Sequence, residues 1–354
     1  MTKRAKPSCS SWRYWPDTTT TTGVATLSTR WRYIVIRKAL AVFKSHPSIL
    51  SQYIIPGGDF QLWRHGAKTA LAPALELCYD SKVNRKRRRR LVNEFTEAKR
   101  IVVKVGTSTL AHATGRINIR RMEGLVKALA DLCNQGKQVV LVSSGAIGVG
   151  VGKLGLPGRP ADMPSKQAAA AVGQCELMYL YDKLFSEYNH TVAQVLLTRD
   201  AVEDEARRGY VVGTFQRLLE YGCIPVVNEN DTVAVEEIEF GDNDTLSALV
   251  AVLTGADALV LMSDIDGLFT ADPREDPGAR LIPVVEKLDK GVLALGGGAG
   301  SGLGTGGMVT KLRAAQTATA AGVHMAIING NRPENLYKLF DGEQVGTRFL
   351  AERN

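Results

Sequence analysis

From residue 100 onward, short β-branched runs alternate with longer segments whose apolar residues recur at helical intervals. Arg100–Val105 (RIVVKV) predicts a buried strand, as do 138–142 (QVVLV), 191–197, 224–227, 258–262 and 323–328. Helical spacing covers 118–134, 165–188, 210–221, 244–254 and 308–321. Glycines at 136, 222, 255 and 322 follow four of these segments, as helix ends favour. Another helix is expected to start after Ser143-Ser144-Gly145, and a last strand at GTRFL near the end of the chain. Strands alternating with helices imply βαβ units. The predicted fold class is α/β: a three-layer αβα sandwich around a mainly parallel sheet. Ligands of such sheets sit beyond the carboxyl ends of the strands, so the loops there carry the candidates.

Residues 1–90 break the pattern. They hold threonines 18–22, scattered aromatics, all four tryptophans and the basic run 85–90, without sustained periodicity. The expected organisation is a low-complexity basic N-terminal extension over 1–97 and one domain over 98–354. Three readings of the extension compete: a disordered basic tail, an organelle transit peptide rich in Arg, Ser and Thr, or translated sequence that the working protein lacks. The third meets an obstacle, because Met1 is followed by no methionine until Met122, beyond the first strand.

The charge follows the same division. Of 44 Lys+Arg, 18 lie before residue 91, against only 4 of the 36 Asp+Glu, so the formal +8 belongs to the extension and the domain is mildly acidic. Nucleic-acid binding should therefore not be read from the overall charge. At 45% hydrophobic and 23% charged the 354 residues can form a packed core. No run reaches the roughly 18 apolar residues of a membrane-spanning helix. Five cysteines, far apart and in no CxxC pair, argue against a disulfide framework or structural zinc and favour a reducing compartment.

Five segments carry candidate chemistry. Lys104 sits inside an apolar strand and is followed by Gly106-Thr107-Ser108. It either aims at a phosphate or reaches solvent at the strand end, and burying it without an anion would cost several kcal/mol. Ser143-Ser144-Gly145-Ala146 is either an anion site at a helix start or an ordinary cap. Asn228-Glu229-Asn230-Asp231 and Gly241-Asp242-Asn243-Asp244 offer carboxylates and amides for an amino group or for Mg²⁺, or else merely cap and turn. The stretch 296–311 (GGGAGSGLGTGGMVTK) is not a P-loop, and its formal GxGxxG lies in the wrong context for a dinucleotide fold. It reads as a loop over nucleotide phosphates, with Lys311 one turn into the next helix, or as a glycine linker. Ser263 and Asp264 end a strand and open an Asp-rich turn that frames a nucleoside pocket or is only a turn.

Together KVGTS, SSGAI, SKQAAAAVGQ, VVNENDTV, FGDNDTLSA, LMSDIDGLFTADP and SGLGTGGMVTK resemble the amino-acid kinase superfamily, and most closely its glutamate 5-kinases, over about residues 100–350. The resemblance implies the amino-acid kinase fold and transfer of phosphate from ATP, with Mg²⁺, to the side-chain carboxylate of L-glutamate, the first step towards proline. It places Lys104 and Lys311 on the ATP phosphates. Ser144, Asp231 and Asn243 would bind glutamate, and Asp244 would hold the substrate amino group or orient the lysines. Ser263, Asp264 and Thr305, Gly306, Gly307, Met308, Val309, Thr310 and Lys311 would contact nucleotide; Ser263 stands where the family usually has threonine. The acceptor is already ionised, so no general base is needed, which agrees with the lack of a persuasive His–carboxylate pair. The resemblance further implies a kinase domain without a C-terminal PUA domain, feedback inhibition by L-proline, a separate glutamyl-phosphate reductase, a homo-oligomer and no membrane. The expected location is the cytoplasm, or an organelle such as the mitochondrion if residues 1–90 are a transit peptide. The competing activities are another amino-acid kinase, acting on acetylglutamate, aspartate or carbamate, and a basic-tailed nucleic-acid-binding protein.

Overall fold

A computed structural model describes residues 94–112, 114–233, 243–296 and 307–352. In chain order these form α1 (Glu94–Glu97), β1 (Arg100–Val105), α2 (Thr107–Leu110), α3 (Ile119–Asn134), β2 (Gln138–Ser143), α4 (Ala146–Leu154), α5 (Met163–Ser186), β3 (Val192–Leu197), α6 (Arg199–Glu203), α7 (Glu205–Glu220) and β4 (Ile224–Glu229). There follow α8 (Asn243–Thr254), β5 (Ala258–Ser263), β6 (Val284–Val285), α9 (Lys290–Ala294), α10 (Met308–Ala320), β7 (His324–Asn329), α11 (Asn335–Phe340) and β8 (Thr347–Phe349). The strands make one sheet in the order β3-β4-β2-β1-β5-β7-β8-β6. Every pairing is parallel except β7 with β8.

Helices cover both faces, so the central strands are apolar on both sides. The pleat sorts β1: Ile101, Val103 and Val105 join a core with α3, α5 and α11, whereas Val102 joins a second core with α7, α8 and α10. Burying each of these four side chains stabilises the fold by about 1.5–3 kcal/mol. Such a strand can carry one charged residue inward. By the same alternation Lys104 falls on the Val102 face, beneath α8 and α10.

Capping residues explain where the helices begin. Asn118 accepts from the Arg121 N–H at the start of α3, and Asp162 accepts from the Ser165 N–H at the start of α5. Asp204 does the same for Arg207, so α7 begins at Glu205, five residues before the apolar spacing suggests. Its first turn is polar and exposed and leaves no hydrophobic trace. Strand β4 runs two residues past its expected end, through Asn228 and Glu229, both buried.

Packed structure reaches N-terminal of residue 98: Phe95 of α1 is buried edge-on against Phe340, ring centroids 6.2 Å apart. Lys137 closes this corner by donating to the carbonyls of Thr96 (3.2 Å) and Ala98 (2.6 Å). The rest of the expected extension, with its basic run, lies outside the described residues. No helix among the described residues is long and apolar enough to cross a membrane.

Helices α4 and α5 touch backbone to backbone. A Cβ on Gly173 would lie 1.8 Å from the Ala146 carbonyl oxygen, and one on Gly150 1.8 Å from that of Ala169. Gly173→Ala should therefore destabilise the domain by about 1–3 kcal/mol through overpacking. Gly213→Ala in α7, where nothing lies within 4 Å of the added carbon, should stabilise by roughly 0.5–1 kcal/mol from helix propensity. Urea unfolding midpoints measure both, and a Gly173→Ala midpoint equal to or above wild type would contradict this packing.

Candidate functional site

Lys104, near the carboxyl end of β1, and Lys311, in the first turn of α10, meet on one carboxylate. Lys104 Nζ lies 2.6 Å from Asp244 Oδ1, and Lys311 Nζ donates to Asp244 Oδ2 at 3.0 Å. The Thr310 hydroxyl donates to the same Oδ2 at 2.9 Å. Asp244 is fully buried and both lysines nearly so, at 9% and 7% exposure. Burial by itself raises the Asp244 carboxyl; the two ammonium groups, by charge and by hydrogen bonding, outweigh it and hold the group at about 2. Two cations around one anion leave the cluster with one positive charge in excess. Buried ammonium groups favour a nearby anion, so the arrangement suits an anionic ligand.

The neighbouring residue, Asn243, opens a second, amide-rich cluster. Its Nδ2 donates to Ser144 Oγ (2.8 Å) and Asn228 Oδ1 (2.9 Å), with the Ser143 carbonyl at 3.3 Å. Asn228 in turn donates to Gln174 Oε1 at 3.0 Å. The Ser143 hydroxyl shares a buried hydrogen bond of 2.8 Å with Tyr181. Gly145, at φ 103°, takes the left-handed conformation that turns the chain from β2 into α4 directly after Ser144. One helix terminus, Asn243-Asp244, thus joins the cationic cluster to the amide cluster.

Other expected site residues are placed as follows. Asp231 stands two residues beyond β4, in neither hydrogen-bonded cluster; burial pushes its carboxyl up to about 6, although nearby Arg159 pulls the other way. Ser263 ends β5 on the Lys104 face of the sheet, since Leu259 and Leu261 belong to the second core. Its hydroxyl donates to Asp264 Oδ1 at 3.2 Å, and Arg274 lies 3.8 Å from Oδ2 of the same carboxylate. Gly307 caps α10, Met308 packs on the second core and Val309 is exposed. Thr305 and Gly306 lie outside the described residues. Of the two roles expected for Asp244, the geometry matches the orienting of the lysines, since both its oxygens are engaged by them. Sequence reasoning missed Tyr181, placed Asn228 only within a candidate amide and carboxylate cluster, and quoted Gln174 only as the end of the SKQAAAAVGQ motif. A buried amide ending an apolar strand was the signal for Asn228; Gln174 and Tyr181 lie on a helix, where their spacing shows no role.

Among the described residues no group of three or more His, Cys, Asp or Glu side chains converges to hold a metal ion. With Asp244 taken by ammonium groups, the expected Mg²⁺ fits here as part of a metal–polyphosphate complex, drawing its ligands mainly from phosphate and water. A cavity of about 330 Å³ lies elsewhere, where Arg100 and Gln138 begin β1 and β2 and where α7 and α8 end at Glu220 and Thr254. That is the opposite edge of the sheet from the charged cluster, so it takes no part in this chemistry.

Comparison with known proteins agrees with the geometry. The amino acid kinase family matches residues 99–329. The chain is 52% identical to the glutamate 5-kinase of Clostridium perfringens over 261 residues, 73% of this chain and 97% of that protein. It is 53% identical to the glutamate 5-kinase of Moorella thermoacetica over 260 residues, 73% of this chain and 69% of that one. Among solved structures, the UMP kinase of Bacillus anthracis shares the fold, with a TM-score of 0.51 at 17% identity, covering 72% of this chain and 97% of that one. A cationic pair locked on a buried carboxylate at the carboxyl edge of a parallel sheet, a family match over residues 99–329 and relatives more than half identical lead to one assignment: the chain belongs to the amino acid kinase family, among its glutamate 5-kinases.

Proposed function

We propose that the chain transfers the γ-phosphoryl group of ATP to the side-chain carboxylate of L-glutamate, giving ADP and L-glutamyl 5-phosphate. The observation that carries this reading is the Lys104–Asp244–Lys311 cluster, whose surplus positive charge suits a polyphosphate. A carboxylate oxygen of glutamate attacks the γ-phosphorus. The bond from that phosphorus to the β–γ bridging oxygen breaks, and its electrons leave on ADP. No proton moves, so no base is required. Positioning and neutralising the spread negative charge is most of the work in such a transfer. Lys104 and Lys311 supply that neutralisation, and Asp244 fixes their ammonium groups without abolishing the cluster's positive charge. Mg²⁺ enters on the nucleotide. Ser263, Asp264 and the segment 305–311 hold the nucleotide, while Ser144, Asn243 and Asp231 hold the amino-acid end of glutamate.

The same reading makes the chain a cytoplasmic enzyme early in proline formation, working as a homo-oligomer and inhibited by L-proline. Its labile acyl phosphate passes to a separate glutamyl-phosphate reductase.

ATP-dependent hydroxamate formation from glutamate tests the activity, and its absence with a properly folded chain would refute it. Lys104→Ala and Lys311→Ala should each lower kcat by about 100- to 1000-fold. Both should still fold, because Asp244 keeps one cationic partner. Asp244→Ala should instead lose roughly 3–5 kcal/mol of stability in denaturant titration, since it removes the buried carboxylate that both ammonium groups share. Near-wild-type turnover in either lysine variant would remove that lysine from the mechanism.

A pH series tests Asp231. With its carboxyl raised to about 6, Asp231 takes up a proton below that pH and loses the charge that pairs with an ammonium. KM for glutamate should then climb, by up to about tenfold per pH unit below 6. In Asp231→Asn, KM should be high and insensitive over this range. A wild-type KM that stays flat from pH 7.5 to 5 would contradict the role.

A further inference from the structure

The amide cluster has a direction, held at one end by the Ser143 carbonyl, which can only accept, and at the other by Gln174. Asn228 has one amide oxygen and one amide nitrogen. Its nitrogen donates to Gln174 Oε1 at 3.0 Å, so its oxygen faces Asn243 and accepts from Asn243 Nδ2 at 2.9 Å. That bond and the Ser143 carbonyl, which can only accept, together fix the Asn243 amide. Its nitrogen is committed to Asn228, Ser144 Oγ and the Ser143 carbonyl. Asn243 Oδ1 is left as an acceptor without a partner among the described residues. Ser144 Oγ, already accepting from Asn243, keeps its own proton to donate. The relay therefore presents one acceptor and one donor side by side at the carboxyl edge of the sheet.

We propose that Gln174, on α5, is a positioning residue that sets substrate specificity through this relay. Resting on the glutamate reading above, it turns Asn243 Oδ1 towards the α-ammonium of glutamate and the Ser144 hydroxyl towards its α-carboxylate. Without an acceptor at position 174, the Asn228 amide can turn over. Its nitrogen then meets the nitrogen of Asn243, which turns as well at the expense of its longer, 3.3 Å bond to the Ser143 carbonyl. An N–H group would replace the oxygen facing the substrate ammonium, and a donor opposite a donor repels. Gln174 lies 54 residues from Asn228 in the sequence and accepts its hydrogen bond, so it acts on the site through the orientation of that amide.

The test uses the full chain and two variants. Gln174→Glu keeps an acceptor oxygen, and Gln174→Met keeps only length and shape. Each is assayed with ATP and either glutamate or glutarate, which carries both carboxylates but no amine. In Gln174→Met, KM for glutamate should rise about tenfold, as expected for one mis-set hydrogen bond. Its kcat and its KM for ATP should stay within about twofold, and the preference for glutamate over glutarate in kcat/KM should shrink about tenfold. Gln174→Glu should retain most of that preference. An unchanged glutamate-to-glutarate ratio in Gln174→Met, or an equal loss in both variants, would overturn the relay, because a packing defect weakens both substrates alike. Failure of the wild-type chain to phosphorylate glutamate at all would instead overturn the proposed function, and with it the substrate placed against Asn243.

Discussion

A single buried carboxylate holds this site together. Asp244 arrives on the first turn of α8 and is shielded from water entirely. It is stabilised there by the ammonium groups that β1 and α10 each deliver to it. Any one of the three charges alone in that position would cost several kcal/mol. Their mutual neutralisation is incomplete by one positive charge. Burial makes this remaining charge strong, because little solvent screens it.

The sheet explains why the charges meet. Residues 104, 244 and 311 are far apart in the chain, yet the parallel pairing of β1 with β2 and β5 places the carboxyl ends of these strands along one edge. Pleating turns Lys104 to the face that α8 and α10 cover. The first turns of both helices then lie over the end of β1 and bring Asp244 and Lys311 to it. The residue before Asp244 extends the arrangement sideways through Asn243 to Ser144 at the end of β2 and to Asn228 near the end of β4. One helix terminus can thus address a phosphate on one side and an amino acid on the other.

Much of this was legible in the sequence, for reasons that differ by residue. A lysine in the run RIVVKV is physically anomalous, so Lys104 stood out, and the glycine-rich stretch before a helix pointed to Lys311. Strand and helix order followed from periodicity. The partner of Asp244 was open between an amine and the lysines, because a carboxylate's role depends on which charges lie beside it in space. Asn228 and Gln174 were harder still: a buried amide can be recognised from an apolar strand, but the direction of its hydrogen bonds depends on a residue in a different helix. The early start of α7 escaped for a simpler reason, since a polar capped turn has no hydrophobic spacing to detect.

The most direct test of the central claim is a crystal structure of the chain with MgADP, glutamate and aluminium fluoride, which imitates the phosphoryl group in flight. Both Lys104 Nζ and Lys311 Nζ should lie about 3 Å from the fluoride or the flanking phosphate oxygens, each still paired with Asp244. Fluoride bound beyond the reach of either lysine, or an Asp244 carboxylate turned away from both, would contradict the account.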